Sequence, residues 1–594
     1  MTNAAVIQFE SKDKMLKTTQ SKRFKLPILG IVFIFGMLTV ALSITILVKI
    51  NKIFSGNPLG SDEKLMMNSK ALRQSANSDL AASIHIDEVM SYLNGLQRIG
   101  KAEHGTRAVG TSGFNATLDF IRSYLTANTN YKVTTSVFSV IQTALAREPI
   151  LMSSINGNVV NHTYSASASS TEFYYVQHTR SANFSDYVDL TVIPNVGCSD
   201  ADWRKASPPP AGRVVLVKRG DCTFVEKGEL ASKYKAAALL LYNDGTAPDR
   251  MAPLFVTLGE NNTLPALFLS FDLGQKLATA ATEMRAGNVR AKLNIVRRSD
   301  FPILSANICA DTPTGDPTQT IVIGSHSDSV TDGVGINDNG SGTAANLALA
   351  VTLARLFRSP AYPKYKYRVR FCWWGAEELG LLGSDFHVKQ AKTLNTIGDR
   401  LSDYLINLNY DMLGSPNYIF GIYDGRTANN ATPPEALPGS NKITAVFRDW
   451  FIRQNLPWDY TDFSGRSDYG PFLAEGIVAG GLFSGGDDIK TQKQRDRYDE
   501  ILGQGLGGIS GIIQDPCYHK ACDSIQNINL FGYEKMVQAA AYALEYLGRQ
   551  HDLKTWLYPS IEVQHVHARS QKLQQKIVQE YNSMNEHYDI FFSA

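Results

Sequence analysis

The sequence predicts an α/β fold for the larger part of the chain, joined to a smaller inserted module and preceded by one membrane helix. From about residue 300, apolar strands without polar alternation are separated by helical runs, which is typical of a sheet buried on both faces. A separate strand–helix–strand pattern occupies residues 213–244, and the run 26–48 carries no charge. At 594 residues, the chain is long enough for more than one domain.

The first element is the uncharged run 26–48, which is long enough to cross a bilayer as a helix. The basic residues before it favour a cytoplasmic N-terminus; they are Lys12, Lys14, Lys17, Lys22, Arg23 and Lys25. A cleaved leader, the alternative, usually has a shorter apolar core and a small-residue cleavage site. We therefore expect a signal anchor of type II, with the bulk of the chain outside the cytosol.

Composition supports a globular protein with a filled core, because 44% of the residues are hydrophobic and 19% are charged. The net charge of +2 gives no reason to expect a nucleic-acid partner. Sequons for glycosylation agree with an extracellular or lumenal surface and occur at Asn115, Asn161, Asn183, Asn261 and Asn430. A further sequon at Asn339 lies in a candidate site loop, and we expect it to be unmodified.

The six cysteines permit disulfides outside the cytosol. Cys517 and Cys522 bracket a short loop, and Cys198 and Cys222 are close enough in sequence to pair. The remaining two, Cys309 and Cys372, lie in apolar runs and are predicted to be buried free thiols.

The inserted module is predicted from the strand RVVLVK, the turn RGDCTF, a helix from Phe224 and the strand ALLLYND. This order resembles the protease-associated domain, with its motif at Arg219, Gly220, Cys222 and Phe224. The resemblance implies a lid or an access element without chemistry of its own.

The strands of the larger domain, TIVIGSH, YRVRFCWW and YLINLNY, are each followed by residues that bind metals, and sites in such sheets collect at the carboxyl ends of strands. His326 ends the first strand, with Asp328 placed to accept the other ring N–H. Glu377 and Glu378 follow the second strand and point different ways, so one can ligate while the other stays free. Three further ligand-type residues stand in separate motifs: Asp338 in GINDNGSG, Asp411 after LINLNY and His519 in DPCYHKACD.

Together these motifs resemble the co-catalytic zinc aminopeptidases, most closely the leucine-preferring enzymes secreted by bacteria. The resemblance covers residues 300–545 and rests on GINDNGSG, GAEELGLLGS, NYDMLGSPN, GRSDYGPF and DPCYHKACD. It implies a three-layer domain with a mixed central sheet and two zinc ions per chain. The wider superfamily includes glutamate carboxypeptidase and transferrin receptor, which implies an anchored chain and a homodimer.

By the same resemblance, Asp338 is the bridging ligand, His326 and Asp411 complete one zinc site, and Glu378 and His519 complete the other. Glu377 is the general base. Tyr518 matches a residue that steadies the oxyanion, and Arg466 matches an arginine near the substrate. From spacing alone, Asp523 is placed to orient His519.

The resemblance also implies the domain order, because an insert would then interrupt the peptidase domain. The expected order is a cytoplasmic tail (1–25), the anchor (26–48), a stalk (49–80), the first peptidase segment (81–149), the protease-associated domain (150–299), the second peptidase segment (300–550) and a polar extension (551–594).

The predicted reaction is hydrolysis of peptides that carry neutral or hydrophobic N-terminal residues. One alternative is a carboxypeptidase or a hydrolase of acidic dipeptides, which needs cationic side chains; Arg466 is the one candidate, whereas the sequence around Phe483 is apolar. The other alternative is a catalytically dead receptor. Such receptors lose ligands, and this chain keeps all five and the base.

Overall fold

The structure is a computed structural model that describes residues 78–559, except 143, 166–170, 247–249, 255, 260, 284–287, 299–300 and 429–431. Three helices and one strand come first: α1 (Asp79–Ala82), α2 (Ile86–Ala102), α3 (Ser112–Asn128) and β1 (Lys132–Gln142). The predicted anchor over 26–48 lies outside the described residues. Within the described ranges, no helix is both long and apolar enough to cross a membrane.

The next elements build a second sheet. They are β2 (Ile150–Ile155), β3 (Asn158–Asn161), β4 (Phe173–Tyr175), β5 (Ala182–Asn183), β6 (Val188–Val192), α4 (Asp200–Lys205), β7 (Val214–Lys218), α5 (Phe224–Lys233), β8 (Ala238–Tyr242), β9 (Ala266–Leu269), α6 (Phe271–Glu283) and β10 (Val289–Ile295). Its strand order is β3-β2-β10-β6-β7-β8-β9-β4, and β5 pairs with β10. The strands β6 to β9 are parallel neighbours, as strand–helix–strand units require.

The chain then returns to the first sheet. The elements are β11 (Phe301–Asp311), β12 (Asp316–His326), α7 (Gly342–Arg358), β13 (Tyr367–Trp374), α8 (Leu382–Thr393), β14 (Tyr404–Tyr410), β15 (Gly421–Asp424), α9 (Leu437–Arg453), β16 (Asp459–Asp462), α10 (Tyr469–Ala474), β17 (Val478–Phe483), α11 (Gln492–Leu502), α12 (Leu530–Gly548) and α13 (Leu553–Leu557). This sheet runs β1-β11-β13-β12-β14-β17-β15-β16 and is mixed, since β13, β12, β14 and β17 are parallel while β1 and β11 are antiparallel neighbours.

The central strands are buried on both faces because helices cover each side. Along β12, Ile321 and Ile323 join the large core formed with α2, α7, α9 and α12. Val322 points the other way and joins a smaller core with α8 and α10. The mixed α/β fold predicted from the apolar strands is confirmed, and the sheet has helices on both faces.

The prediction of free thiols at Cys309 and Cys372 is wrong. The two residues are buried as expected, yet they form a disulfide. They lie directly opposite each other on the antiparallel strands β11 and β13, with their Cα atoms 4.1 Å apart. Their pairing depends on strand register, which the sequence separation of 63 residues conceals. The pairs Cys198–Cys222 and Cys517–Cys522 are also disulfides.

Candidate active site

Three of the candidate positions follow neighbouring parallel strands. His326 is the last residue of β12, Asp411 directly follows β14, and Glu377 comes three residues after the end of β13. Because β12 pairs in parallel with both β13 and β14, the three strand ends meet at one edge of the sheet.

Two histidines and three carboxylates converge there. The Nε2 atom of His326 lies 3.2 Å from Asp338 Oδ1 and 3.4 Å from Asp411 Oδ1. The Nε2 atom of His519 lies 3.1 Å from Asp338 Oδ2 and 3.2 Å from Glu378 Oε2. Asp338 therefore presents one oxygen to each histidine, which is the arrangement that a ligand shared by two metal ions needs.

Glu377 stands beside this cluster, with its Oε2 atom 4.0 Å from His326 Nε2. Burial raises the pKa of Glu377 well above its usual range, and the nearby carboxylates of Glu378 and Asp411 raise it further. A carboxyl group with a raised pKa, next to a cluster of ligand-type groups, is suited to proton transfer.

The cluster has the chemistry of a cation site. Several of its buried polar atoms have no hydrogen-bond partner within the protein; they are His326 Nδ1 and Nε2, Glu378 Oε1 and Asp411 Oδ1. Donor atoms of two groups, His326–Glu377–Asp411 and His326–Asp338–Glu378, lie within 4.8 Å of one another. Unpaired buried carboxylates are costly unless a cation neutralises them, and imidazole with carboxylate is a donor set that zinc prefers.

The close packing of imidazoles and carboxylates also shifts the pKa values within the cluster. Burial alone would lower the pKa of His326, but the carboxylates of Glu377 and Asp411 hold it well above its usual value. Burial also opposes ionisation of Asp338, yet the close imidazoles of His326 and His519 keep its pKa below the usual range. The carboxylates around the two imidazoles thus favour a positive charge at this position.

Asp328 contacts both the histidine and the glutamate turn. One oxygen, Oδ1, lies 3.5 Å from His326 Nδ1 and accepts the backbone N–H of Glu377 at 3.3 Å. The other, Oδ2, accepts the backbone N–H of Glu378 at 3.3 Å. The carboxylate of Asp328 therefore contacts the candidate base Glu377 and the candidate ligands His326 and Glu378 at the same time.

The loop that carries Asp338 is held by the side chains around it. Asp523 accepts the backbone N–H groups of Asn337 and Asp338 at 2.8 and 2.9 Å. Its carboxylate therefore steadies the loop that carries Asp338, and the expectation that it orients His519 is wrong. Asn339 accepts the backbone N–H of Met412 at 3.1 Å, and its side chain is buried.

The close approach of this loop to the end of β14 requires a glycine. A Cβ atom on Gly342 would lie 2.2 Å from the carbonyl oxygen of Tyr410 and 2.4 Å from Asn339 Oδ1. The glycine at this position in GINDNGSG thus allows the N-terminus of α7 to pack against the residue before Asp411. This contact brings Asp338 and Asp411 into one site.

Asp411 is oriented by the segment GRSDYGPF. The hydroxyl of Ser467 donates to Asp411 Oδ2 at 2.6 Å and accepts from the side chain of Asn409 at 2.8 Å. One carboxylate oxygen is thereby occupied, which leaves Oδ1 directed toward His326.

His519 lies in the loop closed by the Cys517–Cys522 disulfide. Its φ of 55° is in the left-handed region, where a residue with a Cβ is strained. The ring of Tyr518 stacks on the His519 ring with a centroid distance of 3.9 Å. Ring stacking and the disulfide together hold the imidazole toward Asp338.

Arg466 and Tyr518 lie beside each other at the rim. The Nη2 atom of Arg466 is 3.3 Å from the Tyr518 hydroxyl, and the arginine side chain is 47% exposed. Arg466 also contacts the carboxylate of Asp487, at 3.3 Å for Nη1 and 3.5 Å for Nη2. The structure therefore brings the five predicted ligands together with Asp328, Glu377, Arg466 and Tyr518 at one site or its rim.

Arg107 is a residue of this site that sequence reasoning missed. It is fully buried and donates to the backbone carbonyls of Ser327, Val334 and Gly335 at 2.6, 2.8 and 2.6 Å. Burial lowers its pKa to about 10, although nearby carboxylates, Asp328 foremost, oppose the shift. It holds the loop between the candidate ligands His326 and Asp338 and places a positive charge near the carboxylates of the cluster. No motif marks a single arginine in GTRAVG.

Comparison with known proteins places these features in a family. The profile described as Peptidase family M28 matches residues 307–544, and the PA domain profile matches residues 187–277. An aminopeptidase of Pseudomonas aeruginosa is 31% identical over 515 residues, which are 85% of this chain and 88% of that protein. A probable leucine aminopeptidase 2 of Aspergillus oryzae is 36% identical over 358 residues, 60% of this chain and 66% of that protein.

Solved structures share the fold. An aminopeptidase from Aneurinibacillus sp. strain AM-1 superimposes with a TM-score of 0.54 at 20% identity, covering 78% of this chain and 94% of that one. A Peptidase M28 precursor from Shewanella amazonensis gives 0.50 at 18% identity, with coverages of 82% and 97%.

Proposed function

The chain belongs to peptidase family M28, and on this basis we propose that it is an aminopeptidase that uses two zinc ions to release neutral or hydrophobic N-terminal residues. The predictions of a zinc metallopeptidase and of an inserted protease-associated domain are confirmed by the matches above. The observation that carries the proposal is the convergence of five imidazole and carboxylate side chains, with Glu377 beside them.

The donor atoms divide into two sets that share Asp338. His326 and Asp411 approach one of its oxygens, and Glu378 and His519 approach the other. When bound, two zinc ions would activate a water molecule and polarise the scissile carbonyl.

The chain's own residues perform the proton transfers. Glu377 accepts a proton from the attacking water and passes it to the leaving amine, a role that its position next to the ligands permits. The hydroxyl of Tyr518 donates a hydrogen bond to the oxygen that becomes negatively charged. Arg466 contacts that hydroxyl and supplies positive charge on the same side.

Preference for an apolar N-terminal residue is supported by the aromatic side chains near Asp411. Phe483 packs on a cluster that includes Tyr423, Phe463 and Tyr469. Burial raises the pKa of Tyr423 well above its usual range, with further contributions from Tyr469, Asp411 and Glu377. Phe483 is the partly buried member at the edge of this core, and an apolar side chain there, beside several carboxylates, suits a substrate with an apolar side chain and a free α-ammonium group.

The alternative of an acidic substrate needs cations that are free to bind carboxylates. The sequence indicated Arg466 alone, whereas the structure gathers Arg219, Arg250 and Arg466 around Asp487. Arg250 is further paired with Asp244 at 2.7 Å. Because these charges are already matched by aspartates, the site favours neutral substrates.

A substrate panel tests the function. Purified protein should hydrolyse leucyl-anilide faster than glutamyl-anilide and should leave N-acylated acidic dipeptides intact; a chelator should abolish the activity, and zinc should restore it. Glu377→Gln should lower kcat by about 10²-fold or more with zinc content unchanged. Protein that binds no zinc and hydrolyses no member of the panel would instead support the dead-receptor alternative. A Glu377→Gln variant of undiminished activity would refute the role of Glu377 as the base.

We further propose that the site faces the cell exterior or a secretory or vacuolar lumen. Three disulfides among the described residues support this placement, since cytosolic thiols are kept reduced. The membrane anchor and the homodimer rest on the sequence and its resemblance. Alkaline extraction of membranes and the measured mass of the purified protein test them.

A further inference from the structure

The carboxylate of Asp487 connects the inserted domain to the rim of the site. It lies in the loop after β17 and is largely buried. Arg219, from the inserted domain, forms an ion pair with its Oδ2 atom, while Arg466 contacts both oxygens. A third arginine, Arg250 of the inserted domain, donates to the backbone carbonyl of Asp487.

On the peptidase side, this carboxylate limits the freedom of Arg466. That side chain is 47% exposed, and a half-exposed arginine has many accessible rotamers unless a partner selects one. With Asp487 on one side, the guanidinium lies 3.3 Å from the Tyr518 hydroxyl. Tyr518 in turn stacks on His519, so the contact reaches the metal ligands.

On the side of the inserted domain, Arg219 is fixed before it meets Asp487. Its backbone N–H donates to the carbonyl of Tyr242, and its Nη1 atom donates to Asn243 Oδ1 at 3.2 Å. Burial lowers its pKa to about 10, with the like charges of Arg466 and Arg250 acting in the same direction. The negative charge of Asp244 opposes this shift, and Asp487 is the carboxylate that contacts both Arg219 and Arg466 directly.

We propose that Asp487 is a positioning residue through which Arg219 of the inserted domain holds Arg466 and the Tyr518 hydroxyl over the metal site. The inserted domain then contributes to turnover as well as covering the site. Without the Asp487 charge, the arginines face each other unpaired and Arg466 turns away from Tyr518. Without the Arg219 charge, Asp487 loses its partner in the inserted domain and no longer holds Arg466 in place beside Tyr518. The loss falls on the step in which negative charge develops on the substrate oxygen.

The inference rests on the proposed peptidase activity and is tested with the full chain loaded with zinc. Asp487→Asn and Arg219→Gln should each lower kcat on leucyl-anilide about tenfold, with KM changed less than twofold and zinc content unchanged. In a Tyr518→Phe background, Arg219→Gln should have little further effect on kcat, because its route to the substrate is gone. Arg219→Lys, which keeps the charge, should recover part of the loss.

The matched control is Arg213→Gln, which removes a 3.1 Å ion pair with Asp189 inside the inserted domain and should leave kcat unchanged. Equal losses of kcat from Arg219→Gln in the wild-type and Tyr518→Phe backgrounds would overturn the proposal, as would a rise in KM alone. If Asp487→Asn does not fold, Arg219→Gln and Arg219→Lys carry the same comparison. Wild-type protein that is inactive on the anilide would instead refute the proposed function.

Discussion

Replacement of Asp328 by asparagine tests whether one buried carboxylate organises both the base and the ligands. The aspartate is fully buried and makes three contacts, to His326 Nδ1 and to the backbone N–H groups of Glu377 and Glu378. An asparagine keeps the shape but offers only one acceptor oxygen, so its NH₂ group must face at least one of these donors.

The expected magnitude follows from the contact that is lost. Hydrogen bonds to charged groups contribute roughly 1.5–3 kcal/mol each, and an unsatisfied buried donor costs a similar amount. At about 1.4 kcal/mol per tenfold change, one lost contact lowers zinc affinity about 10- to 100-fold. The rate at saturating zinc should also fall, because the backbone of Glu377 is no longer fixed.

Zinc affinity is measured by competition with a chromophoric chelator, and kcat is measured on leucyl-anilide with excess zinc. The control is Asp316→Asn, at the opposite end of the same strand, where the carboxylate accepts from Thr318 and Gln319. Unchanged zinc affinity and kcat in Asp328→Asn would refute the reasoning, since the carboxylate would then only cap the turn.

Three further changes have defined outcomes. Replacing Cys517 and Cys522 by serine frees the strained backbone of His519, so affinity for one of two zinc ions should fall about tenfold in the same competition assay. Arg107→Lys replaces three nitrogen donors, each bonded to a different buried carbonyl, by one ammonium nitrogen. At least one carbonyl should lose its donor, and the free energy of unfolding should fall by roughly 1–3 kcal/mol, measured by denaturant titration. Burial lowers the pKa of Lys490 to about 8, so above that pH the lysine is protonated in the unfolded chain and neutral in the folded protein. The free energy of unfolding should therefore rise between pH 7.5 and 9.5 by about 2 kcal/mol relative to Lys490→Met, measured by thermal unfolding.

Each of these has a control or a contradicting result. Serine at Cys198 and Cys222, in the inserted domain, should leave zinc affinity unchanged. Arg355→Lys, at a half-exposed pair with Glu88, should change stability by about 1 kcal/mol or less. A constant difference between wild type and Lys490→Met across the pH range would show that the lysine stays charged in the folded protein.

The strands and the positions of the clustered imidazoles and carboxylates could be predicted because their signals are local. A run such as TIVIGSH shows in consecutive residues that the strand is buried and that His326 ends it. The mixed fold then follows from several such runs in order. Glycine-rich motifs around Asp338 could be recognised for the same reason, since the close approach at Gly342 excludes any side chain.

What sequence reasoning missed depends on distant partners. The disulfide of Cys309 and Cys372 is decided by the register of two strands, and the contacts of Arg107 by where one helix-flanking loop meets another. The role proposed for Asp487 likewise depends on its ion pair with Arg219, which lies in the inserted domain. Such contacts join residues that are far apart in the sequence and produce no periodic pattern in it. An isolated arginine or aspartate in the sequence therefore looks like an ordinary surface residue.

The eleven paired residues of β1 and β11 form a ladder that is continuous from Lys132 opposite Asp311 to Gln142 opposite Phe301. The whole inserted domain therefore takes the place of the turn in a β-hairpin. Because its two ends leave from adjacent strands about 5 Å apart, a two-residue Asn-Gly turn could close the hairpin in its place. A chain shortened in this way would retain the five candidate metal ligands and Glu377. Its activity would show what the peptidase domain does alone, and the difference from the full chain would show what the inserted domain adds.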